Sequence, residues 1–145
     1  ITGQYAVSAA GVMFVLKNGA SVKITGGSNI NLTAIQASDL IARGVPEADA
    51  NKLAGMLIFE DRNSEGTNNS NTINGNAATV LNGTIYLPRS SMDFTGTASV
   101  TSQCLMIAAA TIKITGSANM SSFCPAGVTE DTVVANEISK VKLVV

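Results

Sequence analysis

Glu60, Asp61 and Arg62 form the densest charged cluster of the chain. Two carboxylates beside a guanidinium could grip a sugar or move a proton. Glycoside hydrolysis needs two carboxyl groups about 5–9.5 Å apart across a cleft. The only other acid in the regular stretches that follow, Asp93, falls in a different strand from the cluster. A simpler reading is a salt bridge or a solvated corner. Aligning GMLIFED with GTIYLPR sets Arg89 one layer above Asp61, and an exposed ion pair of that kind contributes about 0–1 kcal/mol. No residue is assigned a catalytic role, and the chain is read as a non-enzyme.

Other chemistry is narrowed by composition. Histidine is absent, which removes the commonest general base and the commonest metal ligand. Two cysteines cannot build a structural zinc site alone. The Asn-rich stretch 63–76 holds only Glu65 as an acid, whereas calcium collects several oxygen ligands, carboxylates among them. No metal and no cofactor is therefore expected. Phe14 and Phe59 fit equivalent apolar strands and are read as core, so no aromatic cluster suggests a carbohydrate platform. The net charge is −1, with no run of Lys or Arg; a nucleic-acid partner would need a basic footprint. The most apolar window, 6–16, is about half the roughly 20 residues a membrane span requires. The chain opens on Ile, which suggests a processed or trimmed product with any leader or anchor upstream.

These residues must be positioned by elements, and the elements repeat. VKITGG at 22–27 returns as IKITGS at 112–117, with looser echoes NTINGN at 71–76 and MDFTGT at 92–97. An apolar run precedes each echo: GVMFVL, GMLIFE, GTIYLP and CLMIAA. A weaker third run follows each. Gly75 and Gly96 are 21 residues apart, and Gly96 and Gly116 are 20. A unit of about 20 residues holding three short strands is the signature of a β-solenoid. Side chains of a strand alternate faces, so Val22, Ile24, Ile73, Met92, Phe94, Ile112 and Ile114 should stack inward. The fold expected is all-β: a right-handed parallel β-helix of about four to five short rungs, in one domain over 1–145.

One stretch breaks the pattern. Residues 35–53 read as two short helices packed on the side, an insertion at about 38–54. Ser38 offers an N-cap pattern, and Pro46 stands at a helix start with Lys52 late and Gly55 beyond the end. The continuously apolar runs 12–16 and 56–59 suggest burial on both faces, with the insertion covering the outer one. Residues 125–145 are expected to cap the far end, with a last strand over 141–145.

Cys104 and Cys124 are one period apart, 20 residues. Equivalent positions on adjacent rungs lie about 4.8 Å apart, within the range of disulfide Cα separations. A rung-to-rung disulfide is expected, worth on the order of 3 kcal/mol in the chain-entropy view, and it would place the protein in an oxidising compartment. The alternative is two buried free thiols.

Taken in order, GVMFVLKNGASVKITGGSNINLTA, AGMLIFEDR, NTINGN, LNGTIYLPRSSMDFTG and a Cys before an apolar run and IKITG resemble the C-terminal region of TadG-like proteins of the bacterial Tad (Flp) pilus system. The resemblance covers nearly the whole chain and departs at 35–53, where similar sequences have a short link. It implies a periplasmic, outer-envelope or extracellular protein that assembles, anchors or displays adhesive pili. Its partners would be pilus or cell-envelope proteins. Apart from the resemblance, a solenoid has open ends whose exposed strand edges invite pairing, so a second copy is a further expected partner. A carbohydrate-active β-helix enzyme, or a catalytically dead carbohydrate-binding relative, is the alternative.

Overall fold

The repeated TG dipeptides are backbone corners. In a computed structural model, which describes residues 1–27, 29–63, 70–74, 78–96, 99–101, 105–117 and 119–121, Gly116 has a φ of +82°, and a Cβ there would stand 2.8 Å from the Gly96 carbonyl oxygen. Only glycine adopts such a φ without strain and lets one backbone lie this close to another. The echo in the sequence is therefore one corner laid on the last.

Between the corners run strands that pair in parallel throughout. They are β1 (Ala6–Val12), β2 (Phe14–Leu16), β3 (Lys23–Thr25), β4 (Asn29–Ala34), β5 (Met56–Glu60), β6 (Asn71–Asn74), β7 (Ala78–Thr95), β8 (Ser99–Thr101), β9 (Leu105–Ile114) and β10 (Asn119–Ser121). Together they form one parallel sheet, open and curled. Three ladders run through it. The first joins β1, β4, the start of β7, β8 and β10. The second joins β2, β5, the middle of β7 and the start of β9. The third joins β3, β6, the end of β7 and the end of β9. The long strand β7 takes part in all three, which is how the sheet curls.

Register follows the apolar pattern. Ile24 pairs with Ile73, Ile73 with Phe94 and Phe94 with Ile114. Ile24, Ile73, Met92 and Phe94 are buried as expected, in one core with Ile30, Leu81 and Ile85. Ile112 and Ile114 are not: they are 46% and 52% exposed. Strand β9 is the last of that ladder among the described residues, so no further described layer covers their inner faces. The apolar run in β2 also departs from expectation. Leu16 is core, but Phe14 and Val15 are 40% and 47% exposed; among the described residues β2 is the first strand of its ladder. In β5, by contrast, Met56, Leu57 and Ile58 are all buried.

The insertion forms α1 (Ala37–Ala42) and α2 (Glu47–Leu53). The first helix starts earlier than Ser38: Gln36 is its N-cap. The Gln36 backbone N–H donates to the Asp39 carboxylate at 3.4 Å, satisfying a donor at the helix start. Pro46 caps α2, with Lys52 in its last turn. Ile35, Leu40 and Ala50 bury themselves against Met13, Val45 and Leu53 in a second, smaller core. The helices thus cover Met13, the residue between β1 and β2. Both Cys104 and Cys124, and the cap expected over 125–145, lie outside the described residues.

Thr79 and Thr84 are each 1% exposed, and neither hydroxyl has a hydrogen-bond partner among the described residues. A buried unsatisfied hydroxyl costs about 1–3 kcal/mol. Thr79→Val keeps the β-branch and removes the orphan. It should stabilise the protein by about 1 kcal/mol, read as a higher urea midpoint at unchanged slope.

Candidate functional site

The charged cluster lies where three strands turn the same corner. Lys17 follows β2, Glu60 ends β5, and Arg89 sits where the pairing of β7 with β9 shifts, between Leu87 and Ser91. Each acid has a structural task. Glu60 is buried, and one oxygen of its carboxylate accepts the backbone N–H groups of Arg89 at 2.8 Å and Ser90 at 3.1 Å. That bond holds β7 through its bend. Asp61 lies 3.8 Å from the Lys17 ammonium and accepts the Asn63 backbone N–H at 3.0 Å.

Beneath the corner, Asn71 carries a further network. Its carbonyl oxygen accepts the Val22 N–H at 2.8 Å. Its amide donates to the Ser90 hydroxyl at 2.9 Å and the Ser91 carbonyl at 3.1 Å. Ser90 therefore bonds to Glu60 through its backbone and to Asn71 through its side chain. Asn71 is 1% exposed and occupies a position that pairs with Met92, itself paired with Ile112. Its polarity in an otherwise apolar column was the available signal, and the column alone did not reveal its partners.

Register decides what Arg89 meets. Met56 pairs with Thr84, but a bulge follows, so that Ile58 pairs with Ile85 and Phe59 with Tyr86. The gapless alignment behind an Asp61–Arg89 pair is thus shifted by one residue, which brings Arg89 level with Arg62. The Arg89 guanidinium donates to the Arg62 carbonyl at 3.4 Å. The ion-pair partner seen for Asp61 is Lys17, from the ladder position before it and not after it.

The same bulge builds a surface that the sequence does not announce. Phe59, expected in the core, stacks on Tyr86 with ring centroids 5.7 Å apart and an angle of 22° between planes. The Arg62 guanidinium lies over the Tyr86 ring, 5.4 Å from its centroid, and its Nε donates to the Tyr86 hydroxyl. Two rings, one of them a phenol, and a guanidinium across it can hold a flat apolar ring and a carboxylate beside it. No family model, no curated protein and no solved structure matches the chain. Among the described residues no group of three or more His, Cys, Asp or Glu could hold a metal ion. Among the described residues no helix is long and apolar enough to cross a membrane.

Proposed function

We propose that the chain is a right-handed parallel β-helix of about four to five rungs, and that it acts without catalysis as a secreted or envelope-associated part of a Tad-type adhesive pilus. Its partners in this reading are pilus or envelope proteins, met in the periplasm, at the outer envelope or outside the cell. The charged corner carries the non-enzymatic part. Glu60 is buried on two backbone donors, and Asp61 faces Lys17, so the carboxylates that a sugar hydrolysis would use are holding the fold instead. Support for the β-helix comes from three parallel ladders that the chain visits in turn, with glycine corners stacked between them. The ordered resemblance to TadG-like sequences carries the pilus part.

The test is deletion of the gene in the source cell, scoring sheared surface pili and attachment to a solid surface. Loss of both is expected. Normal pili with normal attachment would sink the reading.

A second reading has one observation in its favour. The stacked Phe59 and Tyr86 with Arg62 across them would suit a carbohydrate-binding relative of β-helix enzymes. Retention of the protein on an immobilised polysaccharide, lost in Tyr86→Ala, would favour it.

A further inference from the structure

The outer face of the second ladder carries a line of side chains outside the core. Val15, Phe59, Tyr86 and Ala108 are in register on successive strands. Their chain neighbours Leu16, Ile58, Ile85 and Leu87 are buried in the core, and Ile107 and Ala109 pack against it. Alternation therefore turns the four outward. Strands lie about 4.8 Å apart, so the line is about 14 Å long. On one side it meets the helical insertion, which covers Met13. On the other lies the charged corner with Lys17, Asp61 and Arg62. The result is a shallow track across the strands, apolar along its floor and charged along one rim. It lies on the side of the sheet, so further layers stacked on the ladder would lengthen it and not cover it.

Arg62 gives the track its chemistry. Its Nε donates to the Tyr86 hydroxyl, and its guanidinium lies 5.4 Å from the centroid of that ring. Both contacts fix the planar group, and neither uses its terminal nitrogens. Among the described residues no carboxylate pairs with it. Asp61 faces Lys17, and Glu60 is buried on the N–H groups of Arg89 and Ser90. A guanidinium held in this way offers a preorganised fork to a planar oxyanion.

We propose that the track binds an acidic polysaccharide, with a uronate ring on Tyr86 and its carboxylate on the Arg62 guanidinium. The C–H face of a sugar ring is apolar and weakly positive, which complements an aromatic face. The carboxylate then meets the fork that no acid of the protein occupies. A small acid would need only Tyr86 and Arg62, whereas a line spanning four strands suits a chain. An extended peptide suits it less. The backbone of the floor is spent in the ladders, so the peptide's own amides would find no partners there. The hydroxyls of a sugar can stay in water. The proposal rests on the carbohydrate-binding reading above and gives that site its ligand class; it requires no catalysis.

Titration calorimetry with polygalacturonate and alginate, each compared with its carboxyl-reduced neutral form, tests it. At least one acidic polymer should bind about tenfold or more tighter than its reduced form, the worth of a charge-assisted hydrogen bond. Arg62→Gln should remove that preference and leave the weaker binding of the neutral form in place. Arg62→Lys, which keeps the charge and loses the fork, should fall between. Unchanged urea midpoints for both variants would show that the fold is intact. Equal affinity for acidic and reduced forms would overturn the proposal and leave the carbohydrate reading standing. Binding of none of the four polymers would overturn both. A preference that survives in Arg62→Gln would place the carboxylate elsewhere and overturn the proposal alone.

Discussion

Gly83→Ala should lower the unfolding free energy by about 3–5 kcal/mol, the sum of a strained backbone and an overpacked contact. Gly83 begins the middle segment of β7 with a φ of +131°, and a Cβ there would lie 2.5 Å from the Ala34 Cβ, 2.8 Å from the Gly55 carbonyl oxygen and 3.2 Å from the Leu57 Cβ. None of these neighbours is the free end of a long side chain. The Gly55 carbonyl accepts the Thr84 N–H at 2.7 Å, and the Gly55 N–H donates to the Ile35 carbonyl at 2.8 Å. Moving Gly55 away would break the joint between two ladders and the entry to the helical insertion. Gly44→Ala is the control: its φ is +87°, but nothing lies within 4 Å of the added carbon. It should cost only the backbone part, about 1–2 kcal/mol. Urea unfolding of both variants separates the terms. Equal losses would mean that the crowding at Gly83 is relieved at little cost.

Why some of this was legible in the sequence follows from what each feature depends on. The TG corners and the Ile24–Ile73–Phe94 column depend on local φ and on a period of two, both written in residue type. The helical insertion was legible from Pro46, Lys52 and Gly55, although its start was misplaced: Ser38 looked like the cap, but Asp39 bonds back to Gln36. The bulge between Met56 and Ile58 was not legible. A run of four apolar residues, Met56–Phe59, is compatible with either register, since all of them can be buried or half-buried. That one-residue slip turned Phe59 from core to stacking partner of Tyr86, and moved Arg89 from Asp61 to Arg62. The exposure of Phe14, Val15, Ile112 and Ile114 was likewise invisible. Alternation tells which way a side chain points, but not whether another layer lies over it.

Asn71→Leu looks conservative by the pattern of its column and should nevertheless cost about 3 kcal/mol or more. Leucine resembles Met92, with which Asn71 is in register, and it would add apolar surface. It would also strand the Val22 N–H, the Ser90 hydroxyl and the Ser91 carbonyl, all partners of the one amide. Stranded buried groups cost about 1–3 kcal/mol each, whereas burying leucine in place of asparagine returns about 1.5–3 kcal/mol at best, and only if the site can fit it. The balance favours asparagine. Asn71→Asp should cost at least as much, since it keeps an acceptor for Val22 but loses both donors and buries a carboxylate against the Ser91 carbonyl. The double variant with Ser90→Ala separates packing from polarity. If the hydrogen bond to Ser90 carries part of the loss, the two changes together should cost about 1 kcal/mol less than their sum. Strict additivity would show that Asn71 acts through Val22 and Ser91 alone. Coupling would extend the argument to the surface, because Ser90 also bonds to Glu60. The bend of β7, and with it the place of Arg89 beside Arg62, would then be held from the core outward.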